Sequence, residues 1–129
     1  MKKTPRKKLV AQLDKLWSEV IRLNHPACIV CGKTSNLNAH HAIVRKAQSL
    51  GVRWLLLNGV SLCISCHLFK LHGQQGDHQF LETYMAKLDE LIPADEQLNI
   101  KQIGHQVTKY SLQDLEEKVL EFKKILGGK

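Results

Sequence analysis

From Leu9 onward the apolar residues Leu9, Leu13, Leu16, Trp17, Val20 and Ile21 recur three and four positions apart, the spacing that lines one face of a helix. Pro26 bars continuation, so the pattern predicts a helix from about Lys8 to Leu23. A second such face, Phe80, Leu81, Tyr84, Met85, Leu88 and Leu91, predicts a helix over 77–91 that ends before Pro93. A polar, poorly periodic linker follows. Ser111 is a good N-cap with Asp114 three residues on, and it opens a third helix on Leu112, Leu115, Val119, Leu120, Phe122, Ile125 and Leu126. Gly127 and Gly128 end that helix. Between 27 and 73 the helical period is lost, giving way to a strand-like Trp54-Leu55-Leu56-Leu57 run and an Asn58-Gly59 turn signal. No internal repeat is present.

These elements make one small α+β domain over 9–129. Its core module is 27–73 and its helical extensions are 9–23 and 77–126, preceded by a basic arm, 1–8, expected to be flexible. At 129 residues there is little room for a second domain, and with aromatics at 5 % the core must rely on aliphatic side chains and on cross-links.

Charge changes the picture next. The formal net charge is +7, and residues 1–76 hold 12 Lys and Arg against only Asp14 and Glu19. No acid lies between Val20 and Gly76, so the module is uniformly positive and would attract a phosphate backbone. The start of the chain lacks the apolar run and cleavage site of a secretory signal, and no stretch reaches the ~20 apolar residues of a membrane span. The expected compartment is cytoplasmic, where four cysteines point to metal rather than disulfides.

Cys28-Ile29-Val30-Cys31-Gly32 and Cys63-Ile64-Ser65-Cys66 are both two-residue-spaced pairs, which lets two thiolates from one tight turn reach one tetrahedral Zn²⁺. Thirty-one residues separate Cys31 from Cys63, longer than a simple zinc ribbon, so something sizeable is inserted between the knuckles. Redox pairs or buried thiols are the alternatives, but a redox pair needs no second copy. With four thiolates the ion has no open position, so it stabilises the fold and does no chemistry.

Inside the insertion stand Asn38-Ala39-His40-His41-Ala42-Ile43-Val44-Arg45 and then Asn58-Gly59-Val60-Ser61-Leu62-Cys63-Ile64-Ser65-Cys66-His67. In order and spacing, over about 45 residues from Cys28 to His72, the chain resembles the HNH (ββα-metal, or His-Me finger) endonucleases, particularly compact phage and prophage members with a four-cysteine zinc knuckle. The resemblance implies a β-hairpin with the His doublet on its first strand, a loop or second strand carrying Asn58, and a short helix starting near Cys66. It implies that His40 and His67 bind a catalytic divalent cation, that His41 is the general base activating water, and that Asn58 holds the His41 ring through the nearby backbone. Neighbours on a strand point to opposite sides, which allows the doublet two roles. The implied reaction is single-metal hydrolysis of DNA, expected to be double-stranded, leaving 5′-phosphate ends. Arg45, Lys46 and Arg53 are candidates to clamp the phosphate.

Two features depart from that pattern. The position often held by Asp is His40 and the module has no carboxylate, so Mn²⁺, Ni²⁺ or Co²⁺ is expected to serve at least as well as Mg²⁺. His72 lies five residues after His67 rather than four, and at ~100° per residue the two would diverge by about 140° on a regular helix, so His72 is a third ligand only if the helix ends or loosens before Gly73. His25, His78 and His105 lie outside the motif and read as surface residues. The competing readings are a non-catalytic zinc-dependent DNA-binding module, and a structure-selective or packaging-associated phage nuclease acting in a bacterial host with a protein partner.

Overall fold

A computed structural model of the chain describes residues 4–71 and 78–127, and of residues 69 and 70 the backbone alone. Helix α1, Pro5–Asn24, starts earlier than its apolar face suggested, because Pro5 occupies its first turn and Thr4 caps it by accepting from the Lys7 N–H. Residues 5–8 of the expected flexible arm are therefore helical, and Arg6 Nη1 donates to the Tyr110 carbonyl at 2.7 Å.

Two strands, β1 (Leu37–His41) and β2 (Gly59–Cys63), form an antiparallel pair in the register Leu37↔Cys63, His40↔Val60, His41↔Gly59. The connection between them holds α2 (Leu50–Arg53) and a 3₁₀ turn, Leu56–Asn58. The Trp54-Leu55-Leu56-Leu57 run is thus not a strand. It lies in this connection, where the Leu55 carbonyl accepts from Trp17 Nε1–H and the Trp54 indole donates to Asp14. A π-helical segment, Ser65–Leu71, follows β2. Then come α3 (His78–Leu91), α4 (Ala94–Gly104) and α5 (Leu112–Ile125).

Helix α4 occupies the stretch expected to be linker. Of its eleven residues only Ile100 and Gly104 are buried, too few to print a period, while Asp95 and Glu96 in its first turn suit the positive end of the helix dipole. Helix α5 opens at Ser111 with the capping box completed by Asp114.

Two apolar clusters share the sheet. On one side Val60 and Leu62 pack with Tyr84, Leu88, Ile92 and Ile100 from α3, α4 and their junction. On the other, Leu13, Trp17, Val20 and Ile21 of α1 pack with Trp54 and with Leu115, Val119 and Phe122 of α5. Gly59 lets α1 approach β2, since a Cβ there would collide with Ile21 and Trp17. Every residue of β2 is buried, which is why its short apolar run shows no clean alternation.

Candidate functional site

The two cysteine pairs converge. The four Sγ atoms of Cys28, Cys31, Cys63 and Cys66 lie within 4.8 Å of one another, with Cys31 and Cys63 at 3.6 Å. Thiolates on the corners of a tetrahedron with Zn–S bonds of ~2.3 Å are about 3.8 Å apart, so this cluster is positioned to bind a metal ion and is compatible with zinc. Gly32, at φ 79°, turns the first knuckle, and its N–H donates to the Cys28 carbonyl at 2.9 Å. The Ile29 N–H donates to the Ser61 carbonyl and ties that knuckle to β2. Burial raises the Cys28 thiol, but backbone donors at Cys31, Cys63 and Val30 outweigh it and bring it down to about 7. Burial and the neighbouring thiols push Cys66 up. Four sulfurs this close cannot all ionise without a cation among them, so metal binding and deprotonation go together.

A separate cleft of about 470 Å³ opens beside β1. His40, His41, His67, Arg45 and Lys46 line it, and α1 adds Asp14, Trp17 and Ser18. Because adjacent strand residues face opposite ways, His41 turns to α1 and His40 to α3. The His41 ring stacks on Trp17 with centroids 3.9 Å apart and an interplanar angle of 11°. Its Nε2 lies 2.8 Å from the Arg53 carbonyl. A carbonyl oxygen only accepts, so Nε2–H donates and the lone pair of the neutral ring sits on Nδ1. Burial lowers the His41 pKa below 6.5 against the raising effect of that carbonyl, which keeps the ring neutral at pH 7.

His40 Nε2 is 3.0 Å from the Tyr84 hydroxyl, and the His40 and His67 ring centroids are 5.0 Å apart. His67 Nδ1 is 3.3 Å from the Asn38 side-chain nitrogen. Asn58 does not line the cleft. It is fully buried behind it, where Oδ1 accepts from the Ile43 and Val44 N–H groups at 2.8 and 3.0 Å and Nδ2 donates to the Val44 carbonyl at 2.7 Å. Its own carbonyl accepts from the Ala42 N–H at 2.8 Å, so one residue clamps the three positions after His41.

Arg53 is committed elsewhere: Nε and Nη2 donate to the two Asp14 oxygens at 2.9 and 2.6 Å, and it is not among the residues lining the cleft. Trp54 Nε1 donates to the same carboxylate at 2.9 Å. Burial raises the Asp14 carboxyl, but the donors of Arg53 and Trp54 outweigh it and hold it below 3.8. Arg45 and Lys46 are exposed, and Arg45 also lines a neighbouring cavity with Lys101 of α4 and His105 just beyond its end. The divergence expected between positions 67 and 72 assumed regular α-helical winding. The Ser65–Leu71 segment is wound on wider i→i+5 bonds, so that reasoning does not transfer to it. His72 itself lies outside the described residues.

Four participants went unread in the sequence. In the sequence Trp17 and Tyr84 count only as apolar positions on helix faces, Asp14 as one of two acids in residues 1–76, and Asn38 as the residue that opens the His-doublet stretch; nothing in their spacing marks them. Compared with known protein families, with curated proteins and with solved structures, the chain matches none.

Proposed function

We propose that the chain is a metal-dependent DNA endonuclease of the HNH type, built on a ββα-metal core with a four-cysteine structural zinc. The observation that carries the reading is the cleft in which His40, His41 and His67 meet beside Arg45 and Lys46. Two imidazoles bound to one ion at ~2.1 Å would keep their ring centres about 4.5–5.5 Å apart, and the 5.0 Å between His40 and His67 is compatible with that. A cation held there would neutralise charge on the phosphate and on the departing oxygen.

His41 does the proton chemistry. Its neutral ring, fixed by the Arg53 carbonyl and the Trp17 stack, takes a proton from water. The water oxygen forms a bond to phosphorus, the bond from phosphorus to the 3′ oxygen breaks, and that oxygen is protonated from solvent. The ends are 5′-phosphate and 3′-hydroxyl. Arg45 and Lys46 draw the phosphate in.

The test is incubation of purified protein with supercoiled plasmid, linear duplex and branched DNA across Mg²⁺, Mn²⁺, Co²⁺ and Ni²⁺, followed by end mapping. Cleavage leaving 5′-phosphates, with Mn²⁺, Co²⁺ or Ni²⁺ at least equal to Mg²⁺, is expected. Binding without cleavage under every condition would overturn the reading in favour of a DNA-binding module.

A further inference from the structure

Helix α3 buries Phe80, Tyr84 and Leu88 along one stripe. Apolar contact alone would be served as well by phenylalanine at position 84, yet the chain carries a hydroxyl inward, and that hydroxyl meets His40 Nε2 at 3.0 Å. Tyr84 is 5 % exposed, and its ring stacks on Phe80 with an interplanar angle of 7°, so the oxygen is held in place by packing.

A neutral imidazole carries one hydrogen, so the direction of this hydrogen bond decides which nitrogen holds the lone pair. If the phenol donated, Nε2 would spend its lone pair on it and Nδ1 would carry the hydrogen, leaving nothing for a cation. If Nε2–H donates to the phenol oxygen, Nδ1 keeps the lone pair. Metal-binding histidines regularly donate their second N–H to an oxygen in this way, which fixes tautomer and ring orientation. We propose that Tyr84 is a positioning residue for the cation site: its hydroxyl oxygen accepts from His40 Nε2–H and sets His40 to bind the ion through Nδ1. This rests on the reading of His40 as a metal ligand. The site is thereby tied to α3, outside the 27–73 module.

The test uses the full chain with zinc on its cysteines, native and Tyr84→Phe, which keeps the packed ring and removes the oxygen. Mn²⁺ is the probe, since it favours nitrogen and oxygen ligands and does not displace zinc from thiolates. Calorimetric titration is expected to show Mn²⁺ binding about 10–100-fold weaker in the variant, with the zinc content unchanged. Long-range ¹H–¹⁵N spectra taken without Mn²⁺ are expected to show His40 protonated on Nε2 in the native chain and a mixture of tautomers in the variant. Equal Mn²⁺ affinity in the two proteins, or native His40 protonated on Nδ1, overturns the role of Tyr84 while leaving the metal site standing. A native chain that takes up no ion beyond its zinc overturns both.

Discussion

Replacing Asn58 with alanine removes the clamp on the loop that leaves His41. Three strong hydrogen bonds disappear at once, two accepted from the Ile43 and Val44 N–H groups and one donated to the Val44 carbonyl, at 2.7–3.0 Å. A fourth, to the Val52 carbonyl at 3.4 Å, is weak and adds little. At roughly 1 kcal/mol net for each of the three, the loss is about 3 kcal/mol. A small domain with a stability of about 5–15 kcal/mol survives this, so the variant is expected to fold and to be measurable. Urea unfolding of zinc-loaded native and Asn58→Ala proteins gives the number directly, provided the slope with urea is unchanged. Cleavage by the variant is expected to fall by more than its folded fraction, because the Ala42 to Val44 backbone that positions His41 is loosened. A destabilisation below about 1 kcal/mol would refute the claim that Asn58 organises this loop.

Two other perturbations test separate parts of the molecule. Removing metal with a strong chelator is expected to unfold the knuckles and the β1–β2 pair, seen as lost near-ultraviolet circular dichroism that zinc alone restores, because both cysteine pairs are anchored on or beside β2; an unchanged spectrum after verified metal loss would contradict a structural role. The Asp14 carboxyl is held below 3.8 in the folded chain, so its contribution is present above that value and is lost as pH falls through the folded one. The difference in thermal midpoint between native protein and Asp14→Asn is therefore expected to be largest near neutrality and to shrink on acidification below 3.8. A difference independent of pH would mean the Arg53 pairing contributes nothing.

What could be read from the sequence was local chemistry. The cysteine pairs needed only their spacing to imply convergence, and Ser111 with Asp114 marked the start of α5 from two residues. Helix α4 escaped because its burial rests on Ile100 and a close approach of Gly104 to Val44, which leaves no stripe to detect. The 54–57 run misled because four apolar residues in a row are equally at home in a strand and in a turn wedged between two clusters. Above all, the surroundings of the histidines come from distant segments. Asp14, reached across 39 residues from Arg53, and Tyr84, 44 residues from His40, are placed by tertiary packing that no short-range pattern encodes. A module without a carboxylate in sequence thus acquires one beside its cleft from α1.

The proposed base of the phosphodiester hydrolysis is His41, held by the Arg53 carbonyl and the Trp17 ring. The most direct measurement is the single-turnover cleavage rate of a labelled DNA duplex by native protein and by His41→Ala, in saturating Mn²⁺, alongside the duplex affinity of each. A drop of at least about 100-fold in rate, the lower range for losing a general base, with affinity and fold retained, is the predicted result. Cleavage that continues unchanged in the variant would contradict it.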